Sequence, residues 1–216
     1  MMTQGISANG LHSYLDFDLY IAERTVTPGA KKEIKKTVPY MNGSYDFSAI
    51  NGEPAYEEAE LKYVFDIAET STEEMERQKN KIEDWLYNIL DTDITDDYSQ
   101  GYYYHGSLEE IEWEEDFGQG HLTAVFKVYP FKFKKELTTK RFTKGSAILL
   151  NTSSHAVFPI LQASEDMTVQ INGTSYGIQA GKREPKNLVL QRGENTVEVI
   201  NETGYLDILY REERFC

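Results

Sequence analysis

The chain has 216 residues, 40% hydrophobic and 12% aromatic with only 6 prolines. That excludes a low-complexity disordered protein and leaves room for one large or two small domains, each with its own apolar core. The formal net charge of −14 argues against a surface that grips nucleic acid, which needs clustered Lys and Arg to displace counterions from phosphates. The single cysteine, Cys216, excludes an intrachain disulfide and fits a reducing compartment.

The opening "MMTQGISANGLHSYLDFDLY" has no basic segment followed by an apolar run, and no later stretch is long and apolar enough to cross a bilayer. The expectation is a protein that is made and kept in the cytosol or leaves by a route other than secretion, with no membrane insertion. From Gly10 to Arg24, Tyr14, Asp16 and Asp18 alternate with Leu15, Phe17, Leu19 and Ile21, the period of a strand with one wet face. "TPGA" at Thr27–Ala30 then turns the chain. "EIKKTVPYM" ends at Asn42-Gly43 and "SYDFSAI" at Asn51-Gly52; Asn-Gly tolerates the positive φ of tight turns, so both mark hairpins or corners. "AELKYVFDIAE" is a further alternating strand.

One amphipathic helix stands out in "STEEMERQKNKIEDWLYNIL". Ser71 and Glu74 form a capping box, while Met75, Ile82, Leu86, Ile89 and Leu90 recur at helical spacing. "DTDITDDYSQG" reads as a solvated tether. It is followed by a long hairpin, "YYYHGSLEEIEWEED" and "HLTAVFKVYPFKFKK" about the turn "FGQG". After Lys140 come short strands cut by Asn-Gly and Arg-Gly turns, the pattern of a small β-sandwich. The boundary is set in the polar, basic "TTKRFTKG", giving domains 1–140 and 141–216. The fold class is therefore mainly β with one amphipathic α-helix.

No G-x-S-x-G, H-E-x-x-H, Walker or G-x-G-x-x-G motif occurs, so the chain reads as a non-enzyme without a cofactor. His12, His105, His121 and His155 are scattered and read as solvated or capping side chains rather than metal ligands. Asp91, Asp93, Asp96 and Asp97 offer calcium-type oxygens but lack the glycine and terminal glutamate of an EF-hand loop, so no metal is expected. Glu110, Glu112 and Glu114 share one strand face opposite Ile111 and Trp113. Glycosidase carboxylates face each other across a cleft, whereas these three point out together, so an acidic exposed sheet face is the better reading. The N-x-S/T triplets at Asn42, Asn151, Asn172 and Asn201 read as turns.

In order and spacing, "VPYMNGSYDFS", "ELKYVFDIAE", the single helix, "DDYSQGYYYHGSLEEIEW" and "HLTAVFKVYPFKFKK" resemble the N-terminal domain of distal tail proteins of siphophages and related prophages. That family carries a "vPGrnGsyDfs"-like segment and a closing "F.v.Py.y" strand. "ILLNTSSHAVFPIL", "TVQING" and "LQRGENTVEVINETG" resemble the small β-sandwich at their C-terminus. The family's glycine after the proline is here Tyr40, and the second domain has no room for a long inserted arm. The resemblance implies a sandwich or split-barrel-like N-terminal domain and a jelly-roll or galectin-like C-terminal one. It also implies a structural role at the virion tail tip, after assembly in the bacterial host cytoplasm. There six copies would form a ring between the tail tube protein and the tail-associated lysin or fibre hub.

On that basis Met41, Asn42, Gly43, Ser44, Tyr45 and Asp46 are candidates for subunit contact, since a ring buries strand edges that a monomer leaves unpaired. Glu110, Glu112 and Glu114 are candidates for an acidic channel face that repels passing DNA. Two other readings stay open: a carbohydrate-binding β-sandwich using Tyr176, Tyr205 or Tyr210, and a hydrolase.

Overall fold

Along Ala59–Ala68 alternate side chains are apolar, and Leu61, Tyr63, Phe65 and Ile67 are all buried. Their counterparts Leu122, Ala124, Phe126 and Val128 on the neighbouring strand are buried with them. This period of two gives the sheet one dry and one wet face. The computed structural model describes residues 4–40, 42–49, 52–68, 71–116 and 119–216. The chain divides into two units, Met1–Lys132 with Phe215–Cys216, and Phe133–Arg214, so the second is an insertion in the first. The polar stretch expected to hold the boundary is itself mostly strand, Thr138–Phe142.

The first unit contains β1 (Ile6–Ala8), β2 (Leu11–His12), α1 (Ser13–Phe17), β3 (Tyr20–Thr27), β4 (Lys35–Lys36), β5 (Tyr45–Asp46) and β6 (Ala59–Ala68). There follow α2 (Thr72–Tyr87), β7 (Thr92–Asp96), β8 (Tyr102–Asp116), β9 (Gln119–Val128) and the start of β10 (Phe131–Lys134). The main sheet runs β2-β1-β7-β8-β9-β6-β3. Although β3 and β7 are far apart in that order, Arg24 Nε on β3 donates to Asp96 Oδ2 on β7 at 2.6 Å. The sheet therefore curls like a split barrel, and side chains rather than backbone hydrogen bonds bridge the seam.

Helix α2 starts where the capping box places it: Ser71 Oγ accepts from Glu74 N at 3.2 Å and donates to Glu74 Oε2 at 3.0 Å. Met75, Ile82, Trp85 and Leu86 are buried in the core of the unit. Leu90 lies past the helix end and is exposed.

Two expectations are corrected. The strand over Gly10–Arg24 is broken by α1, because the His12 ring accepts from Tyr14 N and Leu15 N while the Asp16 carboxylate accepts from His12 N. This reciprocal cap outweighs the alternating pattern. The tether "DTDITDDYSQG" contains β7, paired with both β1 and β8, because Ile94 and Asp96 point inward at strand spacing.

The second unit comprises β11 (Thr138–Phe142), β12 (Gly145–Asn151), β13 (Ile160–Ala163), β14 (Met167–Ile171), β15 (Thr174–Ile178), β16 (Gly181–Arg183), β17 (Gly193–Val199) and β18 (Leu206–Tyr210). Two four-stranded sheets, β11-β18-β13-β16 and β12-β17-β14-β15, enclose Leu161, Val169, Ile171, Val197, Leu206 and Ile208. Asn172-Gly173 forms the two-residue β14–β15 turn, both residues at positive φ. A last strand, β19 (Glu213–Phe215), brings the chain back to the first unit.

Candidate functional site

Between β3 and β6 the chain leaves the sheet as an arm. Its base is a close backbone approach: Lys31 bridges Tyr56, Glu57 N donates to Ala30 O at 2.8 Å, and a Cβ on Gly29 would lie 1.9 Å from Glu57 O. Tyr56 packs there edge-on to Phe131 and Phe215. Further out, Lys35 pairs with Asp46 and Lys36 with Tyr45. Ile34 N donates to Ser48 Oγ, and the Ser48 hydroxyl and N–H hold the Asp46 carboxyl below the usual carboxylate range.

Among the described residues, the arm contributes none to the buried apolar core. Ile34, Val38, Tyr40, Tyr45 and Phe47 are all exposed. An isolated two-stranded ribbon is marginal in water, and the arm leaves these five large apolar side chains uncovered in the single chain. Tyr40 is fully exposed and takes a left-handed backbone with φ of 67°, the conformation that glycine adopts at no steric cost. Of the subunit-contact candidates, Asn42, Gly43 and Ser44 lie in the arm's tip, and Tyr45 and Asp46 form β5. Met41 lies outside the described residues.

The long hairpin pairs β8 with β9 and carries Glu110, Glu112 and Glu114 on its exposed face, while Ile111 and Trp113 pack against the core. Trp113 Nε1 donates to Glu83 Oε1 of α2 at 2.9 Å. Opposite the three glutamates stand Val125, Thr123 and His121, and beyond these Lys62, Val64 and Asp66. The face is thus acidic with little to balance it. The first unit as a whole has 11 Lys and Arg against 26 Asp and Glu, net −15, and the second 11 against 10, net +1.

The aspartates of the expected tether are engaged at three separate places, with Asp91 and Asp93 sharing one partner. Asp96 is 2% exposed and accepts from Arg24 Nε, from Tyr63 OH at 2.8 Å and from Tyr98 N at 2.8 Å. Burial, reinforced by the adjacent carboxylate, pushes the Tyr63 phenol up, so it stays a donor. Asp97 accepts from Gly5 N, and Asp91 and Asp93 flank His105 at 3.1 and 2.8 Å. Among the described residues no group of three or more His, Cys, Asp or Glu is placed to hold a metal ion. Of the three tyrosines weighed for sugar binding, Tyr210 is buried and Tyr205 has Arg141 over its ring at 3.8 Å, whereas Tyr176 is half-buried at an open edge.

No protein-family model and no curated protein matches the chain. Among solved structures, the Dit protein of phage SPP1 matches 97% of this chain and 98% of its own, with a TM-score of 0.73 at 14% identity. The chain has the fold of that Dit protein. The SPP1 structure is described as a paradigm of the hub adsorption apparatus in phages that infect Gram-positive bacteria. The Dit fold accounts for both units together, since the match runs across almost all of each chain.

Proposed function

We propose that the chain is a structural, non-enzymatic component of the tip of a long non-contractile phage tail. Six copies close a ring that joins the tail tube protein to the tail-associated lysin or fibre hub. It assembles in the bacterial host cytoplasm and ends in the virion tail tip. The observation that carries this is the end-to-end likeness to a hub protein of a phage adsorption apparatus.

Two features of the chain support it. The arm presents Ile34, Val38, Tyr40, Tyr45 and Phe47 to solvent, which a ring contact would bury. A ring of six copies at −14 each has no use for bound DNA but suits its passage, because a like-charged wall keeps a polyanion from adhering. Glu110, Glu112 and Glu114 are the proposed inward face. Electron microscopy of purified particles, with this polypeptide labelled, tests the reading. A labelled annulus at the tail tip is expected, and tails whose tip contains no such annulus refute it.

A further inference from the structure

Four asparagines precede a glycine: Asn9, Asn42, Asn51 and Asn172. Such a pair can react with itself. The deprotonated glycine amide nitrogen attacks the asparagine Cγ, a five-membered succinimide closes, and the Cγ–Nδ2 bond breaks to release ammonia. Water then opens the ring at one carbonyl to give aspartate, or at the other to give isoaspartate, whose main chain runs through Cβ. The step needs a side-chain amide free to swing, a glycine nitrogen free to attack, and a backbone that can bring the two together.

The fold withholds these conditions from two of the pairs. Asn9 and Gly10 turn the chain between β1 and β2, both left-handed at φ of 53° and 80°. Asn9 Nδ2 donates to Asn88 O at 2.7 Å, and its Oδ1 accepts from Thr92 Oγ1 at 3.3 Å. Asn172 is held likewise: its φ is 51°, Nδ2 donates to Asn195 Oδ1 at 2.8 Å, and Oδ1 accepts from Thr196 N at 3.0 Å. The ψ of a left-handed residue turns the next nitrogen away from Cγ, so both pairs must break their turns and hydrogen bonds before the ring can close. Asn51 lies outside the described residues, but Gly52 N donates to Ala49 O at 2.9 Å, which occupies the nucleophile.

Asn42 meets none of these restraints. It is exposed and its φ is not left-handed. Among the described residues nothing hydrogen-bonds its amide or the Gly43 N–H. The pair lies beyond the β4–β5 ladder, which ends at Lys36 and Tyr45, so reaching the reactive geometry costs no strand pairing. The surroundings give the reaction a consequence. Thr37–Ser44 contains no charged residue, in a chain of net charge −14, and Val38 and Tyr40 are exposed there.

We propose that Asn42 is a site of spontaneous deamidation, and that the carboxylate it gains sets a lifetime on the arm as a contact surface. A neutral tip is buried against another subunit at little cost, whereas an added charge carries a desolvation penalty there. The lifetime rests on the tail-ring reading; the modification does not.

The test is peptide mapping by mass spectrometry of the full chain aged in mildly alkaline buffer. Heavy-oxygen water marks the hydrolysis, and a urea-unfolded sample is the reference, in which all four sites should convert at similar rates. In the folded chain Asn42 should keep close to its unfolded rate, with isoaspartate among the products. Asn9 and Asn172 should be slowed about tenfold or more, because hydrogen bonds must break first. Asn42 slowed as much as those two, or either of them reacting as fast as Asn42, overturns the assignment. For the consequence, Asn42→Asp stands in for the aged chain, and Asn42→Gln resists ageing because its ring would need six members. In a tail-assembly assay, fresh chain and aged Asn42→Gln should be incorporated, and Asn42→Asp and aged chain about tenfold less or worse. Equal incorporation of Asn42→Asp and fresh chain overturns the lifetime. If no form joins tails, fresh chain included, the tail-ring reading and the lifetime fall together, while the mapping still decides the site.

Discussion

Replacing Arg24 by alanine tests the idea that side chains close the curled sheet. The Asp96 carboxylate has no solvent-accessible side-chain surface, and Arg24 is its charged partner at 2.6 Å. Removing one member of a buried ion pair costs about 3–5 kcal/mol, because the remaining charge keeps its desolvation penalty. Tyr63 OH and Tyr98 N still donate to Asp96, so the expected loss is at the lower end, about 3 kcal/mol. For a chain of this length that is a fall in Tm of roughly 6–12 °C.

Asp96→Asn keeps the shape and an acceptor for Tyr63, and should cost about 1–2 kcal/mol. The double variant should then cost less than the sum, by about 1.5 kcal/mol or more. Both tryptophans, Trp85 and Trp113, belong to the first unit. Urea unfolding followed by tryptophan fluorescence therefore reports on that unit. A loss below about 0.5 kcal/mol for Arg24→Ala, or strict additivity in the double variant, would show that the seam is held by the surrounding apolar packing instead.

Four further outcomes are expected. Gly29→Ala forces the backbone apart at the base of the arm; on the proposed ring reading, ring formation on tails should fail while unfolding of the first unit moves by only a few degrees, as assembly assays and calorimetry would show. On the same proposed reading, reversing Glu110, Glu112 and Glu114 to lysine should leave the fold and assembly intact but slow DNA delivery, read from potassium efflux or genome entry after adsorption. The His105 pKa is raised, first by its hydrogen bond to Asp93 and then by the Asp93 and Asp91 charges against a desolvation that lowers it. Its contribution is full below the unfolded value of about 6.5 and fades as pH rises through the folded value; at 41% side-chain exposure it is small, and His105→Gln should flatten the Tm–pH curve there. Arg141 holds Asp207 below its usual range through two hydrogen bonds of 2.7 and 2.8 Å, so that stabilisation is present above about pH 4 and lost in more acid solution. Arg141→Lys, which cannot make the fork, should lose much of that acid dependence.

Patterns that act over a few residues were legible in the sequence. The Ser71–Glu74 box starts α2, the alternation in Ala59–Ala68 makes a strand, and Asn172-Gly173 turns a hairpin. Alternation alone did not separate a strand from the five-residue helix α1, because the deciding hydrogen bonds come from His12 and Asp16, polar residues that fit either structure. β7 was hidden by its acid load. Asp96 lies inside the unit only because Arg24, 72 positions earlier, meets it there, and no local signal reports a pairing at that distance. The arm's turn at Asn42-Gly43 could be read, but its detachment from the core could not, since that depends on where neighbouring strands lie.

The second unit leaves the first at Lys132 and the chain rejoins it at Phe215. Within the first unit these ends are neighbours: Cys216 N donates to Pro130 O at 3.2 Å, and the Phe131 and Phe215 rings are 4.9 Å apart. A short linker could replace the whole excursion without moving the host scaffold. The first unit is thus closed on itself at the point of departure, and the excursion between Lys132 and Phe215 is a self-contained insertion whose replacement by a linker would leave the first unit's core residues in place.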